Sequence, residues 1–144
     1  MTLAFRPATR ADVPAILELL AEDWIGTART DLDGEAMFDA LQGTELIVGE
    51  MDGEIIATYQ ISINHLISLS APCRAILEGV RVASHLRGQK IGEQLVADAE
   101  ERAKRGGATV MNLTSNAKRE AAHRFYIRLG YKQSHAGFKK ALTS

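Results

Sequence analysis

A β-branched run, Val80-Arg81-Val82, passes through Arg87-Gly88-Gln89-Lys90-Ile91-Gly92 into a segment with apolar residues at Ile91, Leu95, Val96, Ala99 and Ala103. A strand that turns through glycines into an amphipathic helix constrains the fold strongly, because it needs a sheet for the strand and a place on that sheet for the helix. The first amides of such a helix have no partner inside it and carry the positive end of the macrodipole. An anion such as a pyrophosphate therefore binds there without a dedicated side chain, and glycine lets the backbone come close. The same turn also serves plain tight packing.

The chain has 144 residues, the size of one domain spanning residues 1–144 with room for a proper core. With 17 Lys and Arg against 18 Asp and Glu it has a net charge of −1, which provides no electrostatic footprint for nucleic acid and no polybasic membrane patch. The single Cys73 cannot form an internal disulfide, the N-terminus lacks an apolar signal region, and no apolar run approaches the length of a bilayer span. A soluble cytoplasmic protein is expected. No grouping of histidines and carboxylates has metal-ligand spacing, so no metal is expected. The phosphate loop Gly-x-x-x-x-Gly-Lys-Ser/Thr and the fingerprint Gly-x-Gly-x-x-Gly are both missing, which argues against the nucleotide-binding enzymes that carry them.

Residues 3–6 suit a short strand, and residues 7–22 carry Val13, Ile16, Leu17, Leu19 and Leu20 at helical spacing. Pro14 fits only a first turn, which favours Asp12 as the N-cap, with any turn begun by Thr9 preceding the helix proper. A poorer helix is expected over residues 34–41, closed by Gly43. Residues 45–51 and 54–65 are rich in β-branched residues around Asp52-Gly53, a two-residue hairpin signal. Residues 67–74, with Pro72, suggest a loop, and residues 75–82 a strand. The helix after it ends at Gly106-Gly107. Strand, helix and strand recur over residues 109–114, 119–129 and from 131 onward, which implies a mixed α/β sheet covered by helices.

The second block, Leu113-Thr114-Ser115-Asn116 followed by Ala122-x-x-Phe125-Tyr126-x-x-x-Gly130-Tyr131, ends a strand and forms a helix with its exit. Taken with the first block, it resembles the GNAT superfamily of N-acetyltransferases, which use acetyl-coenzyme A. The resemblance covers nearly the whole chain in element order. It implies a mixed, mostly antiparallel central sheet of six to seven strands flanked by about four helices. The usual loop reads Arg/Gln-x-x-Gly-x-Gly/Ala, and this chain has Arg87 and Gly92 but Lys90 at the middle glycine. Lys90 still supplies an amide and brings a charge beside a pyrophosphate, a change the loop accommodates if φ is negative there.

Acetyl transfer to an amine requires a deprotonated nucleophile, stabilisation of an oxyanion and a proton for the departing thiolate. The resemblance places these roles on Glu78, Val80 and Tyr126. Glu78 lies among apolar neighbours in Ile76-Leu77-Glu78-Gly79-Val80, where burial would raise its pKa and suit it to accept the amine proton, directly or through water. It is otherwise a solvated strand residue. The Val80 N–H faces the thioester oxygen in this scheme, while its side chain fits a core. Adjacent helical positions point about 100° apart, so Phe125 fills the core and Tyr126 faces a cleft, unless Tyr126 is itself a buried tyrosine with a satisfied hydroxyl. The remaining cofactor contacts fall on Arg81, Val82, Arg87, Gly88, Gln89, Lys90, Ile91 and Gly92, and on Asn116, Arg119 and His123. For the last three the alternatives are a helix cap, an exposed helix-start arginine and a surface histidine.

Acceptor choice in this family lies largely with the first two helices and the loops between central strands. In that region Asp23, Asp31, Asp33, Glu35 and Asp39 would suit a cationic small-molecule amine, or form a solvated acidic face. The C-terminal block Ser115-Asn116-x-Lys118-Arg119, Ala122-His123-Arg124-Phe125-Tyr126 and Gln133-Ser134-His135 resembles the aminoalkylphosphonate N-acetyltransferases. That class of acceptor would call for a basic residue in the pocket; a protein amine is a further alternative. The expected reaction is direct attack in a ternary complex, with a homodimer as the expected assembly. The competing class is a non-catalytic acyl-coenzyme A sensor, marked by Lys90. It needs neither Glu78 nor Tyr126.

Overall fold

The computed structural model describes residues 2–21, 33–68, 70 and 72–143. Five strands, β1 (Leu3–Pro7), β2 (Thr44–Met51), β3 (Glu54–His65), β4 (Cys73–Val82) and β5 (Val110–Leu113), form one sheet in the order β1-β2-β3-β4-β5. The ladders between β1 and β2, β2 and β3, and β3 and β4 are all antiparallel. The helices are α1 (Val13–Ala21), α2 (Gly34–Asp39), α3 (Ile91–Arg105) and α4 (Glu120–Arg128). This is a mixed α/β arrangement of the kind the resemblance implies.

Local chemistry accounts for the boundaries. Asp52 and Gly53 have φ values of 53° and 80°, the paired left-handed conformation whose twist matches a two-residue hairpin between β2 and β3. A tight turn over Arg10–Asp12 precedes α1, and the Asp12 carboxylate accepts the Thr9 N–H at 2.7 Å. Pro14 thus falls in the first turn, where its missing donor is harmless. Asp33 caps α2, accepting the Ala36 N–H at 3.1 Å. Predicted to end near residue 41, α2 stops at Asp39.

The core joins the inner sides of α1 and α3 to the sheet: Val13, Ile16 and Leu19 from α1, Ile47, Val48, Ile56, Tyr59, Ile61, Ala75 and Leu77 from the strands, and the whole predicted stripe of α3 are buried. One polar network ties α3 down. The Tyr59 hydroxyl donates to Asp98 at 2.5 Å, Arg102 Nε donates to the same carboxylate oxygen at 2.9 Å, and Arg102 Nη2 reaches the Phe5 carbonyl at 3.2 Å. Burial, reinforced by Asp98, pushes the Tyr59 phenol well above its ordinary range and keeps it a neutral donor.

Two expectations are corrected. Strand β4 begins at Cys73, so Cys73 and Arg74 belong to the sheet and not to the Pro72 loop; Cys73 is buried, and the Thr109 N–H donates to its carbonyl at 3.1 Å. Residues 131–143 form no regular element, so the described residues make five strands where six to seven were expected. That segment is polar and glycine-interrupted, and Phe138 and Leu142 remain 95% and 93% exposed, so no burial drives a strand there. By its contacts the chain divides into two compact units, Met1–Asn112 and Leu113–Ser144.

Candidate active site

The register of β3 against β4 shifts by one residue beside Glu78. Thr58 faces Arg81 and Gln60 faces Glu78, so Gly79 and Val80 together oppose Tyr59. The extra residue makes a bulge, and Gly79 enters it at φ 64°, a conformation open to glycine and strained for other residues. The bulge takes Gly79 and Val80 out of residue-for-residue pairing immediately after Glu78. The Val80 carbonyl accepts Arg81 Nη1 at 2.8 Å. Glu78 is exposed, with no side-chain partner among the described residues, so the burial expected of it among apolar neighbours is absent.

After β4 the Ala83 N–H is fastened to the Ile56 carbonyl at 2.8 Å, and a short turn over Ser84–Leu86 opens the glycine loop. Gly88 has φ 86° and Lys90 φ 62°. The negative φ on which the substitution of Lys90 depended is therefore absent. Lys90 holds the left-handed conformation that glycine would hold, at a cost of about 1 kcal/mol for a residue with a Cβ. Its backbone is the N-cap of α3, with no side-chain capping bond. Ile91 and Gly92 open the helix and have no intrahelical acceptor for their amides, so the loop and first turn fit an anionic group of pyrophosphate type.

In the second unit, Asn116 does not cap α4. Its Oδ1 accepts the Lys118 N–H at 2.9 Å while Arg119 takes the N-cap position. The ring Nε2 of His123 lies 3.0 Å from the Asn116 carbonyl, which binds the histidine to its own loop. The Tyr126 ring packs edge-on against Phe125 and Tyr131, with centroids 5.1 Å and 5.9 Å away. Phe125 is half-buried and carries the Arg128 guanidinium over its face at 5.7 Å, so it is less of a core residue than expected.

Of the acidic residues proposed for a cationic acceptor, Asp23 and Asp31 lie outside the described residues. Asp33 is committed to its cap, and Asp39 to an ion pair with Arg10. Glu35 is exposed. Sequence reasoning passed over Arg74 because Pro72 marked its segment as a loop. Arg74 is half-buried on β4, and its Nε is buried without a hydrogen-bond partner.

The model of the Acetyltransferase (GNAT) family matches residues 13–131, and the chain belongs to that family. It is 36% identical over 147 residues to an aminoalkylphosphonate N-acetyltransferase of Salmonella typhimurium, covering 95% of this chain and 90% of the relative. A crystal structure described as a transcriptional regulator from Bacillus halodurans aligns with a TM-score of 0.87 at 34% identity, covering 98% of this chain and all of that one (100%). Glucosamine-6-phosphate N-acetyltransferase from Arabidopsis thaliana shares the fold at a TM-score of 0.79 and 21% identity, covering 99% of this chain and 100% of the other. The chain is thus an acyltransferase that uses acetyl-coenzyme A as its acyl donor. No helix among the described residues is long and apolar enough to cross a membrane.

Proposed function

We propose that this enzyme moves the acetyl group of acetyl-coenzyme A to the primary amine of a small molecule by direct attack, without an acetyl-enzyme. The observation that carries the reading is the β4 bulge, which sets an exposed carboxylate, Glu78, two residues before Val80, where residue-for-residue pairing with β3 is interrupted. Glu78 takes a proton from the attacking amine, directly or through water. The Val80 N–H donates to the carbonyl oxygen as negative charge develops, and Tyr126 gives a proton to the thiolate as the C–S bond breaks and the C–N bond forms. Arg87 through Gly92 hold the pyrophosphate at the start of α3, with Arg81 and Val82 along the cofactor arm and Asn116, Arg119 and His123 as further contacts. Cys73 is buried in β4, which disfavours a covalent route.

Among amines, the relative from Salmonella typhimurium favours an aminoalkylphosphonate-type acceptor, and the structural commitment of Asp33 and Asp39 weakens the case for a polycationic one. The family match runs across both compact units, which supports treating the chain as one catalytic domain. The same proposal has it working in the cytoplasm as a homodimer, with the exposed Phe138 and Leu142 as apolar surface for the second copy. Sedimentation that finds only monomers would remove the dimer.

The test is thiol release from acetyl-coenzyme A across small amines, with binding of acetyl-coenzyme A measured in parallel. Amine-dependent release is expected, and Tyr126→Phe should lower turnover about a hundredfold while changing the affinity for coenzyme A little. An unchanged rate would remove Tyr126 from the mechanism. Binding with no turnover of any amine would favour the sensor reading.

A further inference from the structure

The face of β4 that carries Glu78 also carries Ile76 and Arg74, because residues two apart on a strand share a face. The register agrees: Glu78, Ile76 and Arg74 stand opposite Gln60, Ser62 and Asn64 of β3. Burial alternates in step, with Cys73, Ala75 and Leu77 buried on the other face. One sheet face therefore presents, in order, a carboxylate, an apolar side chain and a guanidinium, beside a row of neutral polar groups.

The two charges at its ends have no ion pair with each other or with any other described residue. Arg74 is the less usual of the two. It is half-buried, its Nε is sealed from solvent, and that N–H has no acceptor. A buried donor left unmade costs about 1–3 kcal/mol, and Nη1 and Nη2, which are not sealed in this way, remain to meet an acceptor from outside the chain. Guanidinium is the side chain suited to planar, bidentate recognition of phosphonate, phosphate and carboxylate. Opposite Arg74, Asn64 is held in place by its own Nδ2 donating to Ser62 Oγ at 3.2 Å.

We infer that Arg74 determines acceptor specificity by holding an anionic group at the far end of an ω-amino acceptor, whose alkyl spacer lies on Ile76 and whose amine meets Glu78. The inference rests on Glu78 marking the amine end, as proposed above. Along the strand Arg74 and Glu78 are about 13 Å apart at Cα, a span that two long side chains and a short acceptor divide among them. A diamine would put its second positive charge against Arg74, and a neutral amine would leave the guanidinium unmatched, so both are discriminated against.

The experiment compares 2-aminoethylphosphonate, phosphoethanolamine, β-alanine and ethanolamine as acceptors for the wild type, Arg74→Gln and Arg74→Lys. Binding of 2-aminoethylphosphonate is titrated calorimetrically in parallel, and thermal melts verify folding. In the wild type the anionic acceptors should exceed ethanolamine in kcat/KM, and the three anions rank the phosphonate, phosphate and carboxylate arms. In Arg74→Gln the ratio of kcat/KM for 2-aminoethylphosphonate over ethanolamine should fall about tenfold to a hundredfold, through KM, as expected for a lost charge-assisted hydrogen bond. Arg74→Lys should restore part of it. A ratio unchanged in Arg74→Gln, or a wild type that prefers ethanolamine, overturns the inference and leaves acetyl transfer standing. If no amine is turned over, the acetyl-transfer reading falls and calorimetry decides on Arg74. Phosphonate binding lost in Arg74→Gln and partly kept in Arg74→Lys supports the anion site; binding that is absent in the wild type or indifferent to the substitutions refutes it.

Discussion

The corner where β1 meets α1 and the face of β3 and β4 that carries Glu78 both place carboxylates and guanidinium groups on the same sheet, and they use them in opposite ways. At the corner, Arg6 Nη1 meets Asp12 at 2.7 Å and Arg6 Nη2 meets Glu50 at 3.2 Å, while Asp12 also accepts the Thr9 N–H. Every charge there has a partner, and Asp12 is buried. On the β3–β4 face, Glu78 and Arg74 share a side of one strand and have no charged partner among the described residues. Paired charges tie elements together, whereas unpaired charges of opposite sign on one face are suited to a ligand that carries the complement of both. The two regions should therefore respond to mutation on different axes.

The largest expected effect is at Glu78. Glu78→Gln keeps the size of an exposed side chain and should move the unfolding free energy by less than about 0.5 kcal/mol, while loss of the proposed general base should lower kcat about a hundredfold or more. Steady-state kinetics beside urea unfolding checks both halves. A variant that loses stability and keeps its rate would erase the contrast with Asp12.

Asp12→Asn should show the reverse: wild-type turnover at saturating substrates and a loss of about 1–2 kcal/mol of stability at neutral pH, with the partial exposure of Arg6 limiting the size. The hydrogen bond from Arg6, helped by Thr9 and opposed by burial, holds the Asp12 carboxyl down at about 2 against an ordinary 3.8. A carboxyl whose folded pKa lies below its unfolded value stabilises the fold fully above the unfolded value, and that contribution fades as pH falls toward the folded one. The stability gap between wild type and Asp12→Asn should thus hold constant above about pH 5 and shrink between about pH 4 and pH 2. Unfolding curves at several pH values measure the gap, and a gap independent of pH would detach Asp12 from the ion pair.

Features whose determinants are local in sequence were the ones legible in it. The α3 stripe from Ile91 to Ala103 is buried as its spacing requires, Asp52-Gly53 turns as that dipeptide does, and Pro14 falls in a first turn. Features that depend on pairing distant segments were not. The bulge at Gly79 exists only against the β3 register, and Tyr59 and Asp98 lie 39 positions apart. Pro72 pointed to a loop, yet the ladder from Asn64 and His65 draws Arg74 and Cys73 into β4. The residues from 131 onward carried a family expectation of further strands with too little local β-propensity to make one. At the candidate site, residue types were readable one by one. The match between Arg74 and Glu78 appears only when the strand is placed and its faces are assigned.

Lys90 provides the smallest and most discriminating comparison, since it too is a charge without a side-chain partner among the described residues, kept on a left-handed backbone at φ 62°. Were it merely tolerated, Lys90→Gly would raise stability and leave the cofactor untouched. Were its charge used, as Glu78 and Arg74 are proposed to be, the same change would raise stability by a few tenths to about 1 kcal/mol, because glycine relieves the strain but loses more chain entropy on folding. It would also weaken coenzyme A binding a few-fold, and more so at low ionic strength, because a screened surface charge is what has been removed. Thermal unfolding without ligand, set beside coenzyme A titrations at two salt concentrations, separates the cases. The expected result is opposite signs, a more stable protein that binds its cosubstrate less well. A gain in both would show that the amides at the start of α3 hold the pyrophosphate unaided, and that Lys90 does not belong with the charges held for a ligand.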